Sequence, residues 1–387
     1  MSKKTKQHIA LMSGNIIVPK TITNTRKDIA DWKAAISYTR MEPARWHALQ
    51  LIYEDIRLDA MFSSQYGNRT LKALSKQLVL RKPDGSIDEE QTAKINQSRL
   101  MDQINRHILD SRFYGYSLIE LIPGAQEPGV ALIPRTNVDP VSGLLYPDVY
   151  ADKTIAYRQL PQYGKTVLEF ADPADYYGLM NRLVPHILFK RFAQSAWSEL
   201  CEIYGIPPRV LKTDTQDPKA LARGREMMEN FGAAAWMIID EHEEFHFASG
   251  VSTNGDVYRN LIQLCNNEIS MLISGAIIGQ DTVNGSRAKD ESAKDMLRIL
   301  VQNDLRLIER YWNTTVIPAL KYLGYLTGDV VATYTEDEDL TRLWDMTVQA
   351  LPYFEVDPEW LRTKFGIQIT GKRAEQSLQA PDDDFFV

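Results

Sequence analysis

The stretch LFKRFAQSAWSELCEIYGIPP, residues 188–208, constrains this chain more than any other. Residues 188–204 read as a helix of roughly 25 Å at ~1.5 Å per residue. Gly205 and the pair Pro207-Pro208 stop it, because proline has no N–H to donate and its ring clashes with the preceding turn. A second helical run starts at Asp256, read as its cap, and carries apolar residues at 258, 261, 262, 265, 269 and 272. Between the two runs, RVLKTD (209–214) reads as a short strand. DPKALARGREMMENFG follows, with Asp217 as N-cap, Pro218 at the first helical position and Gly232 at the end. AAWMIID and EFHFASG come next as strands. Any fold of this chain has two helices of similar length bracketing a small strand–helix–strand–strand module.

Upstream, residues 1–43 are polar, and IIVPKTITNTRKD looks extended, an arm or an early strand. Residues 44–80 place Leu49, Ile52, Ile56, Met61, Leu71 and Leu74 at helical spacing, which predicts one or two amphipathic helices. KPDGS (82–86) is a turn. Asp88 to Tyr114 is helical again, and YSLIEL (116–121) is a strand. Residues 123–185 are rich in Pro, Gly and Tyr, and their short apolar runs VALIP, GLLYP, TIAYRQL and TVLEF predict strands joined by turns. Residues 276–292 form a loop containing Gly, Asn and Ser. A long helix covers about 290–323, with Pro318 expected to bend or end it. Two short helical segments and two acidic stretches, EDEDL (336–340) and DDDFFV, close the chain.

With 387 residues, 44% hydrophobic and 25% charged, the chain is long enough for two or three cores. No run of 18 apolar residues exists, so neither a membrane span nor a membrane partner is expected. The basic N-terminus has too short an apolar stretch for a signal peptide. Cys201 and Cys265 form no disulfide framework and no C-x-x-C motif. The net charge of −7 is not that of a tight, sequence-independent DNA binder, whose affinity comes from neutralising phosphates.

One motif suggests catalysis. His242-Glu243-Glu244-Phe245-His246 is a literal H-E-x-x-H, which on a helix places two imidazoles on one face to hold zinc, with the glutamate as general base. Glu268, 22 residues past His246, lies within range of a third-ligand role. The flanking sequence opposes that reading. Trp236 to Ile239 is a continuous apolar run, and Phe245 and Phe247 alternate around His246. The pattern is a strand, a turn at 240–244 and a second strand, in which residues four apart sit about 13 Å from one another. Glu268 then reads as a polar-face residue of its helix. No G-x-x-x-x-G-K-[ST] phosphate loop occurs, and Ser286-x-x-Lys289 lacks the partner motifs of a serine acylase. TEDEDL reads as a solvated acidic face. No cofactor, metal or catalytic residue is expected.

Four stretches resemble, in order, the Mu-type portal proteins of tailed bacteriophages. LFKRFAQSAWSELCEIYGIPPRVLKTD (188–214) is similar to that family's helix followed by Gly-x-Pro and a strand. EFHFASGVSTNGDVYRNLIQLCNNEISMLISGAIIGQDTVNGSRA (244–288) is similar to the segment ending in its Gly-Ser-Arg-Ala. LIYEDIRLDAMFSSQYGNRTLKALS (51–75) and ILDSRFYGYSLIEL (108–121) match two further segments. The resemblance covers roughly 45–325. The chain has IGQDTVNG where the family usually shows Gln-Thr-Leu-Thr, and 123–185 and the last sixty residues match loosely.

The resemblance implies an α+β portal fold, mainly helical with small β elements. It also implies a function: a ring, usually of twelve subunits, at one capsid vertex, through which duplex DNA is packaged by the terminase and later ejected. Carried onto this chain, the wing is 1–187 with 274–325, the stem helices are 188–205 and 256–273, the clip is 206–255, and the crown is 326–387. The implied partners are further copies of the chain, the terminase large subunit, the major capsid and scaffold proteins, a head–tail adaptor, and double-stranded DNA held without sequence preference. The implied location is the portal vertex of the virion, after assembly in the host cytoplasm. Glu241, His242 and Glu244, on the clip turn, are expected to meet terminase or adaptor. The loop at 279–292 takes the place of the family's tunnel loop, so Asn284, Arg287 and Lys289 are expected to face DNA. Phe192 and Trp197 pack either between subunits or within one. The rival readings are a zinc metallopeptidase at His242–His246 and another head–tail adaptor ring protein.

Overall fold

The computed structural model describes residues 28–205, 209–230, 236–244, 255–277, 287–334 and 340–367. They form a mixed α+β structure that is mostly helical with small sheets. Two compact units divide between Tyr334 and Thr335.

The larger unit begins with α1 (Ile29–Thr39), α2 (His47–Ile56) and α3 (Ala60–Leu74). The stretch expected to be extended, residues 16–28, lies almost wholly outside the described residues, and the chain is helical from Ile29 onwards. Asp28 and Asp31 exchange backbone and side-chain hydrogen bonds of 2.9 and 3.1 Å, a capping box that starts the helix. Leu78–Arg81, expected to continue a helical region, is instead strand β1, and Lys82 to Ser86 is the turn that follows it. The helical region after Asp88 breaks at Gln97-Ser98 into α4 (Glu89–Asn96) and α5 (Arg99–Tyr114).

Strand β2 (Tyr116–Ile122) is the centre of the unit. It pairs antiparallel with β3 (Gly129–Leu132) on one side. The small meander β4 (Val138–Asp139), β5 (Leu144–Leu145) and β6 (Ile155–Ala156) comes next, and β7 (Val167–Ala171) pairs with the other side of β2. Strand residues alternate between faces. Tyr116 and Leu118 enter one core with Phe62, Phe113, Leu183 and Ile187, whereas Ile119 and Leu121 enter another with Ile104, Ile108, Val301 and Trp312. Burial on both faces explains why YSLIELI is an almost unbroken apolar run.

Helix α6 (Gly178–Gly205) is longer than its sequence signal. It starts ten residues before Leu188 and runs through Pro185, so the loop-and-strand reading of 123–185 ends too late. The tail of α5 and the head of α6 touch at two glycines. A Cβ on Gly115 (φ +90°) would fall 1.8 Å from the Tyr176 carbonyl oxygen, and one on Gly178 (φ +66°) would fall 2.4 Å from the Gly115 nitrogen. Only glycine accepts both the left-handed backbone and this approach.

The remaining elements of this unit are β8 (Arg209–Lys212), α7 (Pro218–Asn230), β9 (Trp236–Ile239), α8 (Asp256–Ser274), α9 (Arg287–Tyr311), α10 (Ile317–Tyr322) and β10 (Val331–Tyr334). β10 pairs antiparallel with β1. The long C-terminal helix is not uniform. Trp312–Val316 is a π-helical turn ahead of Pro318, where the missing proline N–H leaves the normal ladder incomplete. The smaller unit holds α11 (Leu340–Ala350) and α12 (Pro358–Phe365), whose rings meet at Trp344–Phe365 (5.0 Å) and Trp360–Phe365 (5.8 Å). No helix of the described residues is long and apolar enough to cross a membrane.

Candidate functional site

The two helices that bracket the insert pack on each other. Cys265, Ile269 and Ile273 of α8 are buried, as are Val184, Ile187, Leu188 and Ala193 of α6. Two ion pairs fix α6 to the N-terminal helices. Lys190 Nζ meets Asp59 Oδ2 at 2.8 Å, with both side chains buried. Arg191 donates to the Asp55 carboxylate and, at 2.7 Å, to the Asp55 carbonyl. Asp59 also accepts from Phe62 N, so the same carboxylate caps α3. Trp197 lies against the start of α8, where a Cβ on Gly255 would come within 2.9 Å of Nε1. That contact is internal to the subunit. Phe192 is exposed.

A stripe of α8 points away from this packing. Val257, Leu264 and Met271, seven residues apart, are 77%, 55% and 50% exposed. Seven residues is two helical turns, so the three share one line along the surface. Phe189 and Phe192 are likewise exposed on α6.

Within the insert, β8 and β9 are parallel, with Arg209 opposite Trp236 and Lys212 opposite Ile239. A parallel pair needs a crossover, and α7 supplies it. Gly224 lets that helix approach the pair, since a Cβ there would sit 2.8 Å from the Leu211 side chain. The Asp217 side chain accepts from Lys219 N at 2.9 Å, as a cap should.

After β9 the chain turns. Glu243 N donates to the Asp240 carbonyl at 3.0 Å, and Asp240 Oδ2 accepts from the Thr215 hydroxyl at 2.7 Å. Hydrogen bonds to its carboxylate, the Thr215 hydroxyl first and then the His242 and Thr215 N–H groups, hold the Asp240 carboxyl below its ordinary pKa. Glu241, His242, Glu243 and Glu244 are all exposed on this turn. His242, 86% exposed, meets Glu241 at 3.4 Å. The first half of the H-E-x-x-H is therefore a solvent-facing turn and not the helix a zinc peptidase requires. Phe245, His246 and the second strand expected there lie outside the described residues. Among the described residues no three His, Cys, Asp or Glu side chains gather as a metal site.

The far end of α8 leads into the expected tunnel loop. Asp256 sits inside the first turn and pairs with Arg259 at 2.8 Å, while Gly255 takes the cap position assigned to it from sequence. At the C-terminus the Gly275 N–H donates to the Met271 carbonyl, and Ser270 Oγ donates to the Ala276 carbonyl at 2.7 Å. Ser274 Oγ donates to Gln65 at 2.6 Å, and Arg69 donates to the Ile273 carbonyl at 2.7 Å. Asn284 lies outside the described residues. Helix α9 already begins at Arg287, three residues before the start expected from sequence, so the backbone at Arg287 and Lys289 is its first turn and not loop.

Sequence reasoning missed a charged hub that joins α3, α5 and α9. Arg69, buried on α3, makes a two-point contact with Asp304 of α9, and Arg112 of α5 reaches the same carboxylate at 3.2 Å. The apolar pattern had marked Leu71 as inward, yet Leu71 is exposed while Gln65, Arg69 and Thr70 are buried. A polar residue on a buried helix face has no hydropathy signal.

Comparison with known proteins gives two findings. The family model described as portal protein of Mu bacteriophage matches residues 50–367, most of the chain, including both paired helices, the insert and the loop. The portal protein of Escherichia phage Mu is 25% identical over 218 residues, which cover 53% of this chain and 43% of that relative. The match therefore spans less than half of the phage Mu protein's length.

Proposed function

The chain belongs to the family of Mu bacteriophage portal proteins, and we propose that it works as one subunit of a ring, a dodecamer, at a single capsid vertex. Duplex DNA enters through that ring during packaging by the terminase large subunit and leaves through it at ejection. The family is structural, not catalytic, and the subunit's work is to hold a rigid annulus around a moving duplex. The observation that carries this reading is the span of the family match across α6, the insert, α8, the loop and α9 in one order.

In this proposal the wing is built from residues up to 187 and from 274 onward, and residues 188–205 of α6 and 256–273 of α8 are the stem. The insert 206–255 is the clip. We start the crown after Tyr334 and not at 326, because Val331–Tyr334 pairs with Leu78–Arg81. The α8 line Val257–Leu264–Met271 with Phe189 and Phe192 is the surface we assign to the neighbouring copy. Apolar side chains in that number favour burial, and a ring offers it through a repeated head-to-tail contact. Capsid and scaffold proteins meet the wing, and the virion vertex is the working location.

Glu241, His242 and Glu244 present a compact acidic turn at the tip of the insert, and we assign it to contact with terminase or head–tail adaptor. Glu241→Lys with Glu244→Lys should weaken binding of both partners and leave rings intact. Unchanged binding would remove the assignment.

Electron microscopy of the purified protein tests the main reading. End-on rings with a central hole of about 20 Å or more, wide enough for a duplex as judged from groove and backbone dimensions, are expected. A protein that stays monomeric even when co-expressed with capsid and scaffold proteins would overturn it.

A further inference from the structure

We propose that the cleft between the end of α5, the start of α6 and the second half of α9 is a binding site for phosphoryl anions. Arg112, Arg182, Arg306 and Arg310 line a cavity of about 550 Å³ there. They come from three elements, and Arg306 and Arg310 lie four residues apart on one face of α9, with Asn303 three residues before Arg306. The carboxylates lining the cleft are Asp172 and Asp175. Four guanidinium groups against two carboxylates leave a surplus of two positive charges, in a chain whose net charge is −7.

The existing pairings do not absorb that surplus. Asp175 uses Oδ1 on Gly178 N at 3.1 Å and Oδ2 on Arg182 at 3.2 Å. Arg112 reaches Asp304, but Arg69 already holds both oxygens of that carboxylate at 2.7 and 2.9 Å. One buried carboxylate thus serves two guanidiniums. Among the described residues, Arg306 and Arg310 meet no carboxylate. Like charges converging on one cavity repel each other until an anion enters.

The ligand chemistry follows from the donors. Guanidinium groups supplied by three elements match a tetrahedral anion with several acceptor oxygens, and each fork can bind two of them. A single planar carboxylate satisfies one fork and leaves the others idle. The site is also separate from the loop residues assigned to DNA. Arg306 lies nineteen residues beyond Arg287 on the same helix, roughly 28 Å along its axis. The proposal does not rest on the portal reading, since it concerns one subunit's own cleft.

The full-length protein is titrated with inorganic phosphate by calorimetry in chloride buffer of fixed ionic strength. Arg306→Gln with Arg310→Gln removes the two guanidiniums that meet no carboxylate, of which Arg310 lies over the Tyr311 ring. Both are exposed, so the fold should persist, and an unchanged melting temperature checks it. Arg223→Gln with Arg225→Gln on α7 is the control of equal charge change. Phosphate should bind the parent and the control alike and bind the Arg306/Arg310 variant at least about tenfold more weakly, about 1.4 kcal/mol. Absence of phosphate binding, equal loss in the control, or displacement of phosphate by a polyglutamate peptide at equal or lower concentration would overturn the proposal. A short mixed-sequence DNA duplex identifies the source. Competition between duplex and phosphate, lost in the Arg306/Arg310 variant, supports the site with nucleic-acid backbone as its ligand. Phosphate binding that the duplex leaves untouched supports it with the free anion.

Discussion

Arg69 and Asp304, 235 residues apart in sequence, meet through Nε–Oδ2 at 2.7 Å and Nη2–Oδ1 at 2.9 Å, with neither side chain more than 2% exposed. The third guanidinium nitrogen donates to the Ile273 carbonyl. One side chain on α3 therefore grips the last turn of α8 and the middle of α9. Those are the helices on either side of residues 278–286 in the sequence, so the grip ties the end of one to the middle of the other.

Removing one partner should be costly. Arg69→Met leaves Asp304 buried with only the more distant Arg112, and Asp304→Asn leaves Arg69 unpaired. Breaking a buried pair this way costs about 3–5 kcal/mol. A lower urea midpoint in each single variant, largely restored in Arg69→Met with Asp304→Leu, is expected. Single variants that unfold at the parent's midpoint would show that the pair is not a clamp.

Gly115→Ala should destabilise the junction of α5 and α6. The new Cβ would overlap the Tyr176 carbonyl oxygen and force a left-handed backbone on alanine. A loss of about 3 kcal/mol or more is expected, as for other substitutions that combine a backbone clash with strain. Gly85→Ala is the comparison, since Gly85 also has a positive φ (+84°) but nothing within 4 Å. Its smaller loss isolates the clash from the backbone term.

These residues mark the limit of what the sequence shows. Helices with one apolar face, such as α2 and α8, were legible because burial followed a 3.6 period. So were the stops at Gly205 and the Asp217-Pro218 start, where single residues carry the signal. Strand β1 was missed because LVLR is too short to separate from the helix before it. Helix α6 was begun too late because Pro185 and the aromatic run before it look like turn chemistry. The hub was invisible because Arg69 and Asp304 acquire meaning only when α3 and α9 are adjacent. The turn expected at 240–244 is present and braced by Asp240, because its local pattern of an apolar run followed by polar residues is legible, whereas His246 lies outside the described residues. The clip and loop roles came from resemblance alone.

His107 gives the chain an acid-sensitive point. Burial pushes its imidazole down to about 4, opposed by Asp110 and reinforced by Arg135 and Arg106, and its Nδ1 is buried without a partner. The unfolded chain takes up this proton near 6.5 and the folded chain only near 4. Between those values the unfolded state binds more protons, so stability is complete above pH 6.5 and is lost as pH falls towards 4. The loss attributable to this group is roughly 1–3 kcal/mol. Melting temperatures from pH 7.5 to 4.5 should fall less steeply in His107→Leu than in the parent. Parallel curves would place the acid sensitivity elsewhere.

The α8 stripe predicts a separation of assembly from folding. Leu264 is exposed in the subunit and lies midway between Val257 and Met271. Leu264→Glu should leave the melting temperature of the isolated subunit within a degree or two, because exposed substitutions usually shift stability by less than ~0.5 kcal/mol. The same change should abolish or sharply weaken rings seen by light scattering and microscopy, because it places a charge in a contact that excludes water. Rings that form normally would move the subunit contact to another face.

The loop and its supports can be tested apart in the same way. Arg287 and Lys289 sit in the first turn of α9. Three hydrogen bonds that anchor the end of α8 run from Arg69 to the Ile273 carbonyl, from Ser270 to the Ala276 carbonyl and from Ser274 to Gln65. Removing both cations should therefore spare the anchoring and change only what the loop region offers to DNA. Each Lys or Arg that touches phosphate contributes through counterion release, and in the proposed ring two such contacts per subunit would be repeated around the annulus. Arg287→Ala with Lys289→Ala is expected to form rings of parent size by microscopy while altering the DNA packaged per particle. The packaging defect should also depend less on salt than the parent's packaging rate does. If instead the rings fail to form, the two side chains support the subunit and do not face the duplex. If rings and packaging are both unchanged, the DNA contact belongs to other residues of the channel.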